Sequence, residues 1–268
     1  MHEVRPRDLA RASPAEVRAL IRRGEWTRAT AGLCQGYAQA NLVVLPKEMA
    51  YDFLVFCHRN PKPCPLLDVT DTGSYVPQRV APGADLRTDL PKYRVYRDGR
   101  LEAELLDIVG LWRDDLVAFL LGCSFTFEAA LLQAGVPVRH IEEGKNVPVY
   151  ITRVPCTPAG IFKGPLVVSM RPVPPHLVPR AVQVTSRFPT AHGAPVHVGD
   201  PARLGIEDLD RPNFGEPVTV RPGEFPVFWA CGVTPQAVAL EAKPSLMITH
   251  APGHMFITDV RDEALALL

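Results

Sequence analysis

Two cysteines sit where an apolar run stops and a helix can start. One lies in Gly122-Cys123-Ser124, after LVAFLLG, and the other in Ala230-Cys231-Gly232, after FPVFWA. In open α/β sheets, ligands bind at such strand-to-helix turns. Unpaired amide N–H groups at a helix start favour an anion and lower a thiol pKa. Ser124 and Thr126 add hydroxyls to the first turn, and Thr234 adds one to the second. If the turns face each other, a carboxylate substrate fits between them, with Cys123 or Cys231 as base or nucleophile. Packing is the competing reading for each cysteine alone, because cysteine is among the most buried residue types.

Other groups could serve the same chemistry. The stretch THAPGHMFITD carries His250, His254 and Asp259. A histidine lining a cleft there could shuttle a proton near neutral pH. The i, i+4 spacing of the two histidines would suit a metal on a helix, but Pro252-Gly253 breaks any helix. With no HExxH and no thiol-rich zinc spacing, no metal is expected. Arg59-Asn60-Pro61-Lys62-Pro63-Cys64-Pro65 is rigid and cationic, and Arg94 adds a further guanidinium. Such forks suit carboxylates and equally suit loop-tying ion pairs. His140, Glu142, His192 and His197 form a secondary acid–base set. There is no GxGxxG, Walker or GxSxG pattern, so no cofactor is expected.

These residues need elements to hold them. Ser13-Pro14 with Glu16 reads as a capping box that opens a helix. Pro46 can open a second helix through KEMAYDFLVFCHR, which NPKPCP must stop. Residues 66–70 read as a short buried strand, and Asp98-Gly99 reads as a hairpin turn. LVAFLLGC then SFTFEAALLQAG is a strand followed by a helix, closed by Gly135. FPVFWACG then VTPQAVALEAK is a second such unit, with Thr234 as cap and Pro235 at the first helical position. LMITH is a further strand. Residues 137–200 change texture, with β-branched segments between Pro and Gly: VPVYITRV, GPLVVSM, RAVQVTSRF and APVHVG. The alternation of Val182, Val184 and Ser186 predicts a strand with one wet face. The shift in pattern predicts an α/β domain from 1–135 and 202–268, with a β-rich domain inserted at 136–201.

The chain has 268 residues, 47% of them apolar, with 29 basic and 29 acidic side chains. That balance argues against a basic nucleic-acid face. No apolar run approaches the roughly 18–20 residues that span a bilayer. The charged N-terminus lacks the apolar core of a secretory signal. The six cysteines include no CxxC pair, and a disulfide scaffold does not suit this length. The expectation is a cytoplasmic protein with a small carboxylic acid as partner, no nucleic acid and no membrane. A homo-oligomer stays open.

Long ordered stretches carry a resemblance. They include GYAQANLVVLP (36–46), DFLVFCHRNPKPCPLLDVT (52–70), GADLRTDLPKYRVYRDG (83–99) and the whole of 111–150. FKGPLVVSMRP (162–172), RFPTAHGAPVHVGDP (187–201), VFWACGVTPQ (227–236) and THAPGHMFITD (249–259) continue it. The chain resembles the D-glutamate cyclase family, whose members are named "putative hydro-lyases". The resemblance implies an α/β fold: a three-layer α/β/α sandwich with a smaller two-layer α+β domain. It also implies a hydro-lyase acting on a small amino or hydroxy carboxylic acid. A related domain occurs in a mitochondrial protein that converts D-glutamate to 5-oxo-D-proline with loss of water. That larger protein has a second domain, and no catalytic assignment carries onto numbered positions here.

For such a cyclisation, Arg59 or Arg94 would hold a carboxylate, and a helix start at Cys123 or Cys231 would stabilise the oxyanion. His250 or Asp259 would move the proton. The competing functions are a thiol-dependent epimerase or acyl transferase, and a non-catalytic small-ligand or partner-binding module.

Overall fold

The computed structural model describes residues 6–267. Its centre is a strand, Tyr37–Pro46 (β1), in which all but the first residue are buried. Short helices Pro6–Leu9 (α1) and Pro14–Arg22 (α2) precede it. The α2 capping box forms as expected, with the Glu16 amide donating to Ser13 Oγ and the Glu16 carboxylate accepting from the Ser13 amide. Helix Lys47–Arg59 (α3) follows β1 directly and starts after Pro46. Next come strands Leu66–Val69 (β2), Tyr93–Arg97 (β3), Arg100–Leu105 (β4) and Leu116–Gly122 (β5). The β3–β4 hairpin turns on Asp98 and Gly99, both at positive φ, which is the conformation a two-residue I′ turn requires. Helices Glu128–Gln133 (α4) and Arg139–Glu143 (α5) lead into strands Val149–Pro155 (β6) and Pro165–Val173 (β7). Helix Val178–Ser186 (α6), strands His197–Val198 (β8) and Phe225–Ala230 (β9), and helix Thr234–Ala242 (α7) come next. Strands Met247–His250 (β10) and Phe256–Arg261 (β11) close the series.

The strands form two sheets. The larger runs β2-β5-β1-β10-β3-β4, with β11 also on β1, and every pairing is antiparallel. Period-2 alternation sorts β1 onto two cores. Leu42 and Val44 face one core, with Leu120, Val95 and Ile248, covered by residues 80–90. Val43 and Leu45 face the other, beneath Phe53 and Phe56 of α3 and Val238 of α7. The smaller sheet runs β6-β7-β9-β8. Phe127, Leu131 and Ala181 of the neighbouring helical segments pack against its Trp229 and Val173. The architecture is therefore a mixed α/β sandwich carrying a second-sheet subdomain. Strand β9 belongs to that second sheet although it lies beyond the 136–201 segment.

Two local expectations are corrected. The segment expected to alternate as a strand at Val182, Val184 and Ser186 is helix α6. Pro179 fits its first turn, and the buried pair is Ala181 and Thr185, one helical turn apart. Thr185 Oγ1 donates to the Ala181 carbonyl at 2.9 Å. APVHVG yields only the two-residue β8. Conversely, the reading of residues 36–46 assigned them no element, yet they form the central strand.

Candidate functional site

The two cysteine turns end strands of different sheets, and they do meet. Cys123 follows β5 and Cys231 follows β9, and both pack in one cluster with Phe125, Val147, Val167 and Met255. Asn41 of β1 ties the turns together. Its Nδ2 donates to the Gly122 carbonyl at 2.6 Å, and a Cβ on Gly232 would fall 2.0 Å from the same nitrogen. Gly122 itself is pressed against the 190–191 backbone, where a Cβ would lie 1.7 Å from the Thr190 carbonyl oxygen. Only glycine fits at either turn.

The thiols are not the activated nucleophiles expected from a helix start. Burial pushes Cys123 well above the ordinary thiol range, although the Phe125 amide and Arg171 oppose it. Cys231 is pushed up to about 11 by burial, against the Val233 amide and Arg171. Desolvation of a thiolate outweighs the amide dipoles here. Thr234 is also not the cap: Val233 holds the cap position. Thr234 Oγ1 instead donates to the Cys231 carbonyl at 2.8 Å and accepts from the Val167 amide at 3.0 Å, which stitches α7 to β7.

The arginine near the thiols is Arg171 of β7, which the sequence reading did not single out. It is buried between Glu128, Ser124 and Ser169. Nε and Nη2 both donate to Glu128 Oε1, Nη1 donates to Ser169 Oγ at 3.1 Å, and Nη2 donates to Ser124 Oγ at 3.0 Å. The guanidinium lies 5.4 Å from the ring centroids of Phe127 and Trp229. His140 Nε2 is 3.1 Å from Glu128 Oε1, close enough for an ion pair but not aligned as a hydrogen bond. Burial alone would raise the Glu128 pKa, yet His140 and Arg171 carry it below the ordinary value. A signal was present in sequence: Arg171 is a single cation inside the apolar run PLVVSMRPV, and such a charge must find a partner.

An open cleft of about 400 Å³ lies between β3–β4 of the large sheet and the 213–216 loop beside β6. Lys92, Arg94 and His254 line it with Glu104, Asn146 and Phe214. Phe214 also packs against the apolar cluster that holds Cys123 and Cys231. Arg94 Nε donates to Glu104 Oε1 at 2.8 Å, and Lys92 Nζ is 4.0 Å from Glu104 Oε2. Asn146 donates through Nδ2 to the Pro252 carbonyl at 3.1 Å, and its buried Oδ1 has no partner. Its backbone amide donates to Glu216, a further lining residue. His254 Nδ1 is 3.0 Å from the Pro252 carbonyl. A carbonyl only accepts, so Nδ1 carries the hydrogen and Nε2 keeps a lone pair. Burial, helped by Lys92 and against the Pro252 bond, holds the His254 pKa below the ordinary value, so the ring is neutral at pH 7. His250 is fully buried within the field of His254 and Arg94; burial pushes its pKa down to about 3. Its Nδ1 accepts from the Leu42 amide at 3.2 Å, and Nε2 has no partner.

The remaining candidates lie outside the cleft. Arg59 donates to the Pro158 carbonyl at the surface, and Asn60 caps the end of α3 through Phe56 and Thr157. Lys62 donates to the Ala194 carbonyl, and its own carbonyl accepts from His192 Nδ1 at 2.6 Å. Thr126 Oγ1 accepts from the Gln39 amide. Asp259 pairs with Arg18 at 2.9 Å, Glu142 pairs with Arg139, and His197 donates to the Asp200 carbonyl. The cationic NPKPCP strap thus positions the His192 loop, and its Pro65 carbonyl accepts from the Gly122 amide at 2.8 Å, which sets the strap against the first cysteine turn. Its prolines fix the chain, so its cations reach neighbouring carbonyls. No helix among the described residues is long and apolar enough to cross a membrane.

The D-glutamate cyclase family matches residues 117–259. The chain is 67% identical over 256 residues to "Putative hydro-lyase GK2103" of Geobacillus kaustophilus, covering 96% of this chain and 97% of that protein. It is 69% identical to "Putative hydro-lyase Teth514_1597" of Thermoanaerobacter sp., over 94% of this chain and 96% of the other. It is 62% identical to "Putative hydro-lyase YcsI" of Bacillus subtilis, over 96% of this chain and all of the other. Among solved structures, a nitrogen repressor-like protein from Methanococcus jannaschii aligns at 10% identity with a TM-score of 0.37, over 91% of this chain and 97% of the other. The chain belongs to the D-glutamate cyclase family.

Proposed function

We propose that the protein is a hydro-lyase acting on a small amino acid bound in the Lys92–Arg94–His254 cleft, with cyclisation of D-glutamate to 5-oxo-D-proline as the leading reaction. The observation that carries this reading is the two-ended chemistry of the cleft. Lys92 and Arg94 offer cationic donors, while the Glu216 carboxylate offers acceptors. A carboxylate suits the first end and an ammonium suits the second. The volume of about 400 Å³ is within the usual range for small-ligand pockets.

In this reading His254 Nε2 takes a proton from the substrate ammonium. The freed amine attacks the γ-carboxyl carbon, so a C–N bond forms. Lys92 and Arg94 stabilise the oxyanion that develops. The C–O bond then breaks: the departing oxygen takes the proton held on His254 Nε2 and a second proton shed by the newly bonded nitrogen, and leaves as water. The thiol-dependent alternative would need a thiolate, and burial disfavours that form at both Cys123 and Cys231.

Incubation of pure protein with D-glutamate, L-glutamate and related hydroxy acids, followed by mass-spectrometric detection of the dehydrated product, tests this. His254→Ala should lower turnover by about 10²–10⁴-fold, as for loss of a general acid–base. Arg94→Ala should chiefly raise KM. A folded protein that turns over none of these acids would remove the reading.

A further inference from the structure

A second small cavity lies away from the cleft, between the Gly32–Gly36 strap and the start of α4. Its room for a water-sized sphere is about 20 Å³, enough for one or two water-sized occupants. Three lining residues each carry a buried oxygen without a hydrogen-bond partner: Gln39 Oε1, Glu128 Oε2 and Asp262 Oδ1. All three residues are more than nine-tenths buried. The Gln39 amide cannot be flipped to relieve this. Its Nε2 donates to the Thr30 carbonyl at 3.0 Å and the Leu33 carbonyl at 3.3 Å, which leaves Oε1 as the unpartnered atom. Glu128 Oε1 is committed to Arg171, so Oε2 is the oxygen left over. Buried acceptors without donors are costly and need an explanation.

We infer that Gln39, Glu128 and Asp262 form a binding site for one monovalent cation of potassium or ammonium size. All three atoms are hard oxygen acceptors, and such oxygens take cations or N–H donors. Arg171 is committed to Glu128 Oε1, and among the described residues no side chain or amide donates to any of the three unpartnered oxygens, which leaves them to a bound cation. A magnesium ion would keep several waters, and the cavity has no room for them. Burial, reinforced by Glu263 against Arg261, pushes the Asp262 carboxyl up to about 7, consistent with a carboxylate that lacks its counter-ion. Among the described residues no three His, Cys, Asp or Glu side chains gather as a transition-metal site. The inference does not depend on the reaction assigned to the cleft.

Crystals soaked in rubidium chloride give the direct readout, since rubidium stands in for potassium and scatters anomalously. An anomalous peak within coordination distance of the three oxygens is expected. Thermal unfolding supplies the second readout. At 150 mM and constant ionic strength, potassium or ammonium chloride should raise Tm over choline chloride by roughly 5 °C. Asp262→Asn and Gln39→Leu should each cut that rise by at least half. A rise with ammonium alone identifies a hydrogen-bonding nitrogen cation, and equal rises identify an inorganic site. A rubidium-soaked crystal with only water there, or equal Tm in potassium, ammonium and choline, would overturn the inference. So would an undiminished rise in both variants.

Discussion

The Arg171 guanidinium donates from Nε and Nη2 to a single oxygen of Glu128, and both side chains are at most 4% exposed. The pair joins the two halves of the molecule: Glu128 opens α4 after the large sheet, and Arg171 sits in β7 of the small one. Removing one partner of a buried pair leaves the other charge without compensation, at a cost of about 3–5 kcal/mol. Arg171→Met should therefore lower the free energy of urea unfolding by about that amount. The double variant Arg171→Met/Glu128→Gln should lose clearly less than the two single losses added together. Strict additivity in the four-way comparison would show that the two side chains are not coupled.

All six cysteines are buried, and this decides their reactivity. Burial pushes Cys34 up to about 12, Cys156 and Cys231 up to about 11, and Cys64 and Cys123 higher than the ordinary range. At pH 8 the native thiols should resist an alkylating reagent, while the unfolded chain should release all six. Counting modified thiols by intact mass before and after denaturation checks this. Rapid single labelling of native Cys123 or Cys231 would restore the thiolate chemistry that burial disfavours.

Sequence made the turns legible but not the residues that connect them. Gly122-Cys123 and Cys231-Gly232 announced themselves because an apolar run met a helix start. Arg94 and His254 were also found, as isolated groups, and the structure brings them into one cleft with Lys92. Arg171, Glu128 and Asn41 were missed, since their roles depend on antiparallel pairings between distant strands. Register between β1 and β5 puts Ala40 opposite Gly122, and no local pattern encodes that. The same limit explains β1 itself. GYAQANLVVLP is buried on both faces, so LVVL runs apolar without alternation, and the polar Gln39 and Asn41 before it are buried as well and mark no wet face. Helix α6 failed in the opposite direction, as its Val-x-Val spacing imitates a strand while its buried pair follows helical spacing.

His192 links stability to pH. It lies at φ +78° in the loop against Gly122, and burial pushes its pKa from 6.5 down to about 4, with the Lys62 carbonyl bond opposing. The folded site refuses a proton that the unfolded chain accepts. The stability tied to this ring is therefore fully present above pH 6.5 and is lost as the pH falls toward 4. Between pH 6.5 and 5 the loss from this one group is about 2 kcal/mol. His192→Asn removes the titration and suits the left-handed backbone, where asparagine is well tolerated. Its amide can still donate to the Lys62 carbonyl. The variant should be less stable than the parent at pH 7, through lost packing, but should lose about 2 kcal/mol less on acidification to pH 5. Urea midpoints for both proteins at the two pH values measure the difference directly, and parallel losses would show that His192 is not the group that titrates.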